Sequence, residues 1–172
     1  MKNLNRIISL AFLMCMIPFL GFAQALPTDP SVKIGTLDNG FTYYLKSNPR
    51  PENRIEFRLA VKAGSILEDD DQQGLAHFTE HMLFNGTENF EKNELIDFLQ
   101  KMGLEFGGDL NAYTSFDETV YILPIPTENP DNVDNALLVL SDWADKATFE
   151  NEEIDKERGV VMEEWRLRLG AY

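Results

Sequence analysis

The sequence predicts an α+β domain, a largely antiparallel sheet with helices packed on one face. Three observations lead there. An Asp38-Asn39-Gly40 turn sits between two short strand-like runs, strand and helix signals alternate without the regular spacing of βαβ units, and 44% of the 172 residues are apolar, enough for one core. The charge balance excludes one class of partner. With 15 Lys plus Arg against 29 Asp plus Glu, a net charge of −14, and acids spread along the chain, no basic surface is left to neutralise phosphates, so nucleic acid is not expected.

The chain opens on a secretory signal. Lys2 and Arg6 precede an apolar run from Ile7 to Phe22 that ends at Ala23-Gln24-Ala25, the small-x-small pattern of a cleavage site. The run is shorter than the roughly 20 apolar residues needed to cross a bilayer, and Pro18 and Gly21 break it, so no stable membrane anchor is expected. Residues 1–25 are therefore read as a signal peptide and 26–172 as the domain. Cys15, the only cysteine, lies within the signal, so the exported chain has neither thiol nor disulfide.

After a Pro-bearing leader, strands are expected at Ile34–Leu37 and Phe41–Leu45, because Asn and Gly tolerate the positive φ of a tight turn. Arg54–Val61 alternates apolar and polar residues and should be a half-buried strand with Ile55, Phe57, Leu59 and Val61 inward. Gly74–Phe84 and Lys92–Met102 carry apolar residues at helical spacing, with Gly86 and Gly103 marking their ends. Tyr113–Leu123 reads as one extended run closed by Pro124 and Pro126. Two helices follow. The first spans Asp131 to about Lys146 and should bury Val133, Ala136, Leu137, Leu140 and Trp143 or Ala144; the second runs from Asn151 to about Leu169.

The chemistry concentrates in His77-Phe78-Thr79-Glu80-His81, which contains both histidines of the chain. Residues four apart lie one above the other on a helix, so both imidazoles reach one metal ion while Glu80 shares their side. This is H-x-x-E-H, the inverted form of the H-E-x-x-H zinc-peptidase motif, and two histidines fall into it by chance about once in a thousand such chains. A catalytic zinc site needs one more protein ligand. On a wheel of about 100° per residue, the last helix places Glu157 and Glu164 inside the arc of Ile154, Val160, Val161, Trp165, Leu167 and Leu169. Glu163, Lys156 and Arg166 fall on the polar side. Two carboxylates turned toward a core require a cation or hydrogen bonds to receive them.

With these residues in view, the domain resembles the insulinase/pitrilysin family of inverted-motif zinc metallopeptidases, and among them the large bacterial periplasmic proteases. The resemblance rests on Gly74 to Thr87, on Asn111-Ala112-Tyr113-Thr114-Ser115, and on Glu157 to Arg166. It implies one Zn²⁺ per chain held by His77, His81 and Glu164, with Glu80 as general base and Glu157 as a supporting carboxylate. It also implies that Asn111, Ala112, Tyr113 and Thr114 form an edge strand for the substrate backbone, with Phe84 and Tyr113 lining a side-chain pocket. The implied activity is endopeptidase cleavage of peptides or partly unfolded polypeptides in the periplasm or outside the cell. Because the sequence ends at Tyr172, near the end of the last helix, it is expected to be the N-terminal part of such a protease, partnered by a C-terminal half and poorly active alone. The competing expectation is a non-catalytic peptide-binding or assembly subunit of the same fold.

Overall fold

A computed structural model describes residues 27–92, 94–104 and 111–169, with 168 and 169 described by backbone alone. The signal peptide expected at 1–25 lies outside them. The chain divides into two units, residues 1–49 and 50–172. In the first, β1 (Val32–Thr36) and β2 (Thr42–Lys46) form an antiparallel hairpin. Its turn is the expected one: Gly40 has φ +88°, its N–H donates to the Leu37 carbonyl at 2.8 Å, and the Asn39 side chain accepts from the Phe41 N–H.

The second unit holds an antiparallel sheet in the order β3–β5–β4, formed by Arg54–Val61, Thr119–Pro126 and Asn111–Thr114. Phe57 pairs with Leu123 and Leu59 with Tyr121, so the inward faces of β3 and β5 coincide. Against that face pack α1 (Leu75–Asn85) and α3 (Asp131–Asp145), while α2 (Glu94–Lys101) adds Leu95 and Leu99 to the same core. The fourth helix, α4 (Asn151–Leu169), lies on α1. Leu123, Ile125, Ala136 and Val139 are fully buried at the centre. The α+β expectation therefore holds, helices on one face included.

Three details correct the sequence reading. The expected single run Tyr113–Leu123 is a hairpin, with Ser115 and Glu118 closing the turn through a 2.8 Å backbone hydrogen bond. Pro124 and Pro126 lie within β5 instead of ending it. They stand opposite Glu56 and Arg54 of β3, beyond Ile122, the last β5 residue that pairs with β4 among the described residues. On α3, Leu137 is half exposed and Ala144 faces solvent, whereas Asn132, Val139 and Asp142 are buried. The expected Ala136 and Trp143 are buried and Val133 and Leu140 half-buried, so the stripe runs where expected, and the polar Asn132 and Asp142 complete it in place of Leu137.

Asp142 explains one of those polar places. Fully buried, its carboxylate accepts from the Thr87 hydroxyl at 2.7 Å, the Asn89 backbone N–H at 3.0 Å and the Asn89 side-chain amide at 2.8 Å. Together with the Glu88 N–H donating to the Lys146 carbonyl, these bonds clasp the segment after α1 to the end of α3. Burial alone would push the Asp142 carboxyl up, but the hydrogen bonds from Thr87 and Asn89, with Lys146 nearby, outweigh it and hold the pKa below its ordinary value of 3.8. Replacing Asp142 by Ala should cost on the order of 3 kcal/mol, since three donors lose a charged acceptor. Urea midpoints measure this. A lowered folded pKa means that the contribution is present above the unfolded value and fades as pH falls through the folded one. The stability gap between wild type and Asp142→Asn should accordingly narrow below about pH 4.

Candidate metal centre

The motif helix α1 begins at Gly74, whose φ of +95° is a left-handed conformation that favours glycine. No side chain at the cap position closes the first turn. Glu68 does so from the preceding loop, its two oxygens accepting from the Gly74 and Ala76 N–H groups at 2.8 Å each. Sequence reasoning missed Glu68, since a loop residue six and eight positions away obeys no capping spacing.

Along α1 the two imidazoles meet at right angles, one turn apart, with His77 Nε2 and His81 Nε2 separated by 3.1 Å. The Glu164 carboxylate of α4 reaches both, at 3.5 Å from His77 Nε2 and 3.7 Å from His81 Nε2. One donor atom from each of the three residues lies within 4.8 Å of the others, a convergence that a single ion can gather. Among the described residues, they form the His/Cys/Asp/Glu group with such convergence. Glu163, by contrast, is exposed and pairs with Arg166.

Behind the donors, His81 Nδ1 lies 2.7 Å from Glu157 Oε1. A carboxylate only accepts, so Nδ1 donates to Glu157 and Nε2 is the ring nitrogen on the side of His77 and Glu164. The second Glu157 oxygen accepts from the Asn85 amide at 2.8 Å, and the same amide donates to the His81 carbonyl at 3.2 Å. The donor chemistry thus fits zinc: nitrogen and carboxylate ligands, one of them oriented by an outer carboxylate. Asn85 went unread in the sequence, although the 77, 81, 85 spacing places it on the histidine stripe.

Only part of the expected α4 arc is covered. Ile154, Glu157, Val161 and Glu164 are half-buried, whereas Val160, Trp165 and Leu167 are exposed and the Leu169 side chain lies outside the described residues. A helical wheel sums every apolar residue into one broad arc, but the neighbour α1 covers a narrow stripe at i, i+3, i+7 and i+10.

The donors open onto a groove of about 870 Å³. Its lining contains every residue singled out from the sequence: His77, Glu80, His81, Phe84, Asn111, Ala112, Tyr113, Thr114, Glu157 and Glu164. Glu80 is buried, and its Oε2 accepts from the Thr114 hydroxyl at 2.5 Å. Phe84, which lines the groove, packs its ring 5.3 Å from that of the buried Trp143. The Tyr113 hydroxyl donates to Glu118, which together with some burial raises its pKa.

The model of the insulinase family, peptidase family M16, matches residues 43–167. The chain belongs to this family. It is 42% identical over 171 residues to the probable zinc protease PqqL of Escherichia coli K12, an alignment covering 99% of this chain and 18% of that protein. Identity to the chloroplastic stromal processing peptidase of Arabidopsis thaliana is 34% over 146 residues, covering 83% of this chain and 11% of the relative. Among solved structures, the first half of the periplasmic protease PqqL from Escherichia coli superimposes with a TM-score of 0.80 at 45% identity, covering 83% of this chain and 31% of that one. The chain thus spans less than a fifth of the length of these curated relatives. The insulinase-like fold expected from the motifs is the fold observed.

Proposed function

We propose that the chain is the zinc-binding N-terminal part of an exported metalloendopeptidase that cleaves peptides or partly unfolded polypeptides. The observation that carries this reading is the convergence of His77, His81 and Glu164 beside a buried Glu80 in one groove. Zinc bound there would supply Lewis acidity, polarising a carbonyl and lowering the pKa of water toward about 7. His77, His81 and Glu164 hold the ion, and Glu157 fixes the His81 ring. Glu80 acts as general base. Its Oε2 is tied to Thr114, so Oε1 takes the proton of the attacking water and later hands it to the leaving amine.

The substrate backbone is received by β4. This strand pairs with β5 on one side, and among the described residues nothing pairs with its other side, which leaves N–H and C=O groups of Asn111–Thr114 for an added strand. Phe84 gives the groove an apolar base for a substrate side chain. The PqqL segment that this chain superimposes on is the first half of a longer protease, so a C-terminal half of the same protein is the proposed partner that encloses the substrate. Export to the periplasm is supported by the signal-like N-terminus and by the periplasmic PqqL relative.

The test is zinc content and peptide cleavage by the full-length protein. One zinc per chain, with cleavage abolished by 1,10-phenanthroline and restored by added zinc, is the expected result. Peptide binding without cleavage by a zinc-loaded protein would favour the non-catalytic subunit instead.

A further inference from the structure

Thr114 stands in the strand assigned to the substrate, yet its side chain is committed elsewhere. Its hydroxyl donates to Glu80 Oε2 at 2.5 Å and lies 3.3 Å from the Thr119 hydroxyl, directly across the β4–β5 pair. The Thr119 hydroxyl in turn donates to the Ala63 carbonyl at 2.9 Å. Two hydroxyl protons serve these contacts. An ionised carboxylate and a carbonyl can only accept, so each proton is drawn outward, one to Glu80 and one to Ala63. The two hydroxyl oxygens then face each other without a proton between them, and their separation exceeds the usual 2.7–2.8 Å of an O–H···O bond.

The Ala63 carbonyl is itself held in place. A Cβ at Gly64 would stand 2.4 Å from the Ser115 carbonyl oxygen, so only glycine lets this segment approach the β4–β5 turn. There the Ser65 and Ile66 N–H groups donate to the Ser115 and Phe116 carbonyls at 3.1 and 2.8 Å. Thr119 is buried, and its bond to Ala63 locks its β-branched side chain. On the Glu80 side, Oε1 has no hydrogen-bond partner among the described residues.

We infer that Thr114, braced by Thr119, is a positioning residue for Glu80: it pins Oε2 and thereby leaves Oε1 as the working oxygen. The inference rests on the protease reading of the same site. A glutamate has three side-chain torsions, and tethering one oxygen fixes the last of them before substrate arrives. A role in substrate binding would act through the β4 backbone and appear in KM. A positioning role acts through the Glu80 carboxylate and appears in kcat.

The experiment compares wild type, Thr114→Val, Thr114→Ser, Glu80→Gln and the Glu80→Gln/Thr114→Val double variant of the full-length protein, using a quenched fluorescent peptide and zinc analysis. A crystal structure of zinc-loaded Thr114→Val accompanies the kinetics. Thr114→Val should lower kcat about 10–100-fold with KM within about twofold and zinc content unchanged, while Thr114→Ser restores kcat to within about threefold. In the Glu80→Gln background, Thr114→Val should change the residual turnover by less than about twofold, because the carboxylate it positions is gone. The crystal structure should show the Glu80 carboxylate rotated or spread over more than one rotamer.

Unchanged kcat in Thr114→Val, an equal loss in the Glu80→Gln background, or a Glu80 carboxylate that stays in place would each overturn the inference. Failure of the wild-type protein to cleave any peptide with zinc bound would overturn the protease reading instead. The crystal structure then decides alone whether Thr114 positions Glu80.

Discussion

Glu80→Gln in the full-length protein should leave zinc bound and lower turnover by about 10²–10⁴, the range lost when a general base is removed. The substitution keeps the shape and the hydrogen bond from Thr114 while deleting the only group at that position able to take a proton from water. His77, His81 and Glu164 are untouched, so zinc stoichiometry should match wild type. Steady-state kinetics on one peptide, with zinc measured on the same samples, decides the point. Loss of metal with undiminished activity per zinc ion would remove Glu80 from the role of base.

The second large effect separates two adjacent residues. Glu164→Gln should weaken zinc binding by more than about 100-fold, beyond the 10–100-fold typical of losing an outer partner, because it deletes the anionic ligand from a site with three protein donors. Glu163→Gln should change the affinity by less than about twofold, since that carboxylate is exposed and paired with Arg166, an ion pair worth little. Glu157→Gln should fall between them, as it removes the acceptor that orients His81 but no donor. Competition with a chromophoric chelator ranks the three. Metal stripped by Glu163→Gln and retained by Glu164→Gln would place the wrong glutamate at the ion.

Much of this site was legible in the residues themselves. His77, Glu80 and His81 lie within five positions, so one turn of helix dictates their common side whatever the rest of the fold does. The two α4 glutamates were also readable, because an acidic residue in an apolar stripe contradicts the pattern around it. The error lay in the extent of the stripe: Trp165 and Leu167 were expected inward and are exposed. Periodicity records which residues share a side, and it is silent on how wide a neighbour covers that side. The hairpin between β4 and β5 was lost for a similar reason, since Ser115 to Glu118 contains no glycine or proline to mark a turn.

The sequence by itself determined the fold class, the helices and the first three strands to within a few residues, the histidine motif and the stripe carrying Glu157 and Glu164, all of them consequences of local periods of about 3.6 and 2 residues. Tertiary structure alone decided the rest. It brought Glu164 within 3.7 Å of both histidines, set Glu157 against His81 across 76 residues, buried Asp142 as the clasp between α1 and α3, and turned the Thr114 hydroxyl of β4 onto Glu80. Each of these contacts joins side chains on different elements. Their distances depend on how helix and sheet surfaces interlock at close packing, a property of the assembled core that no local period encodes.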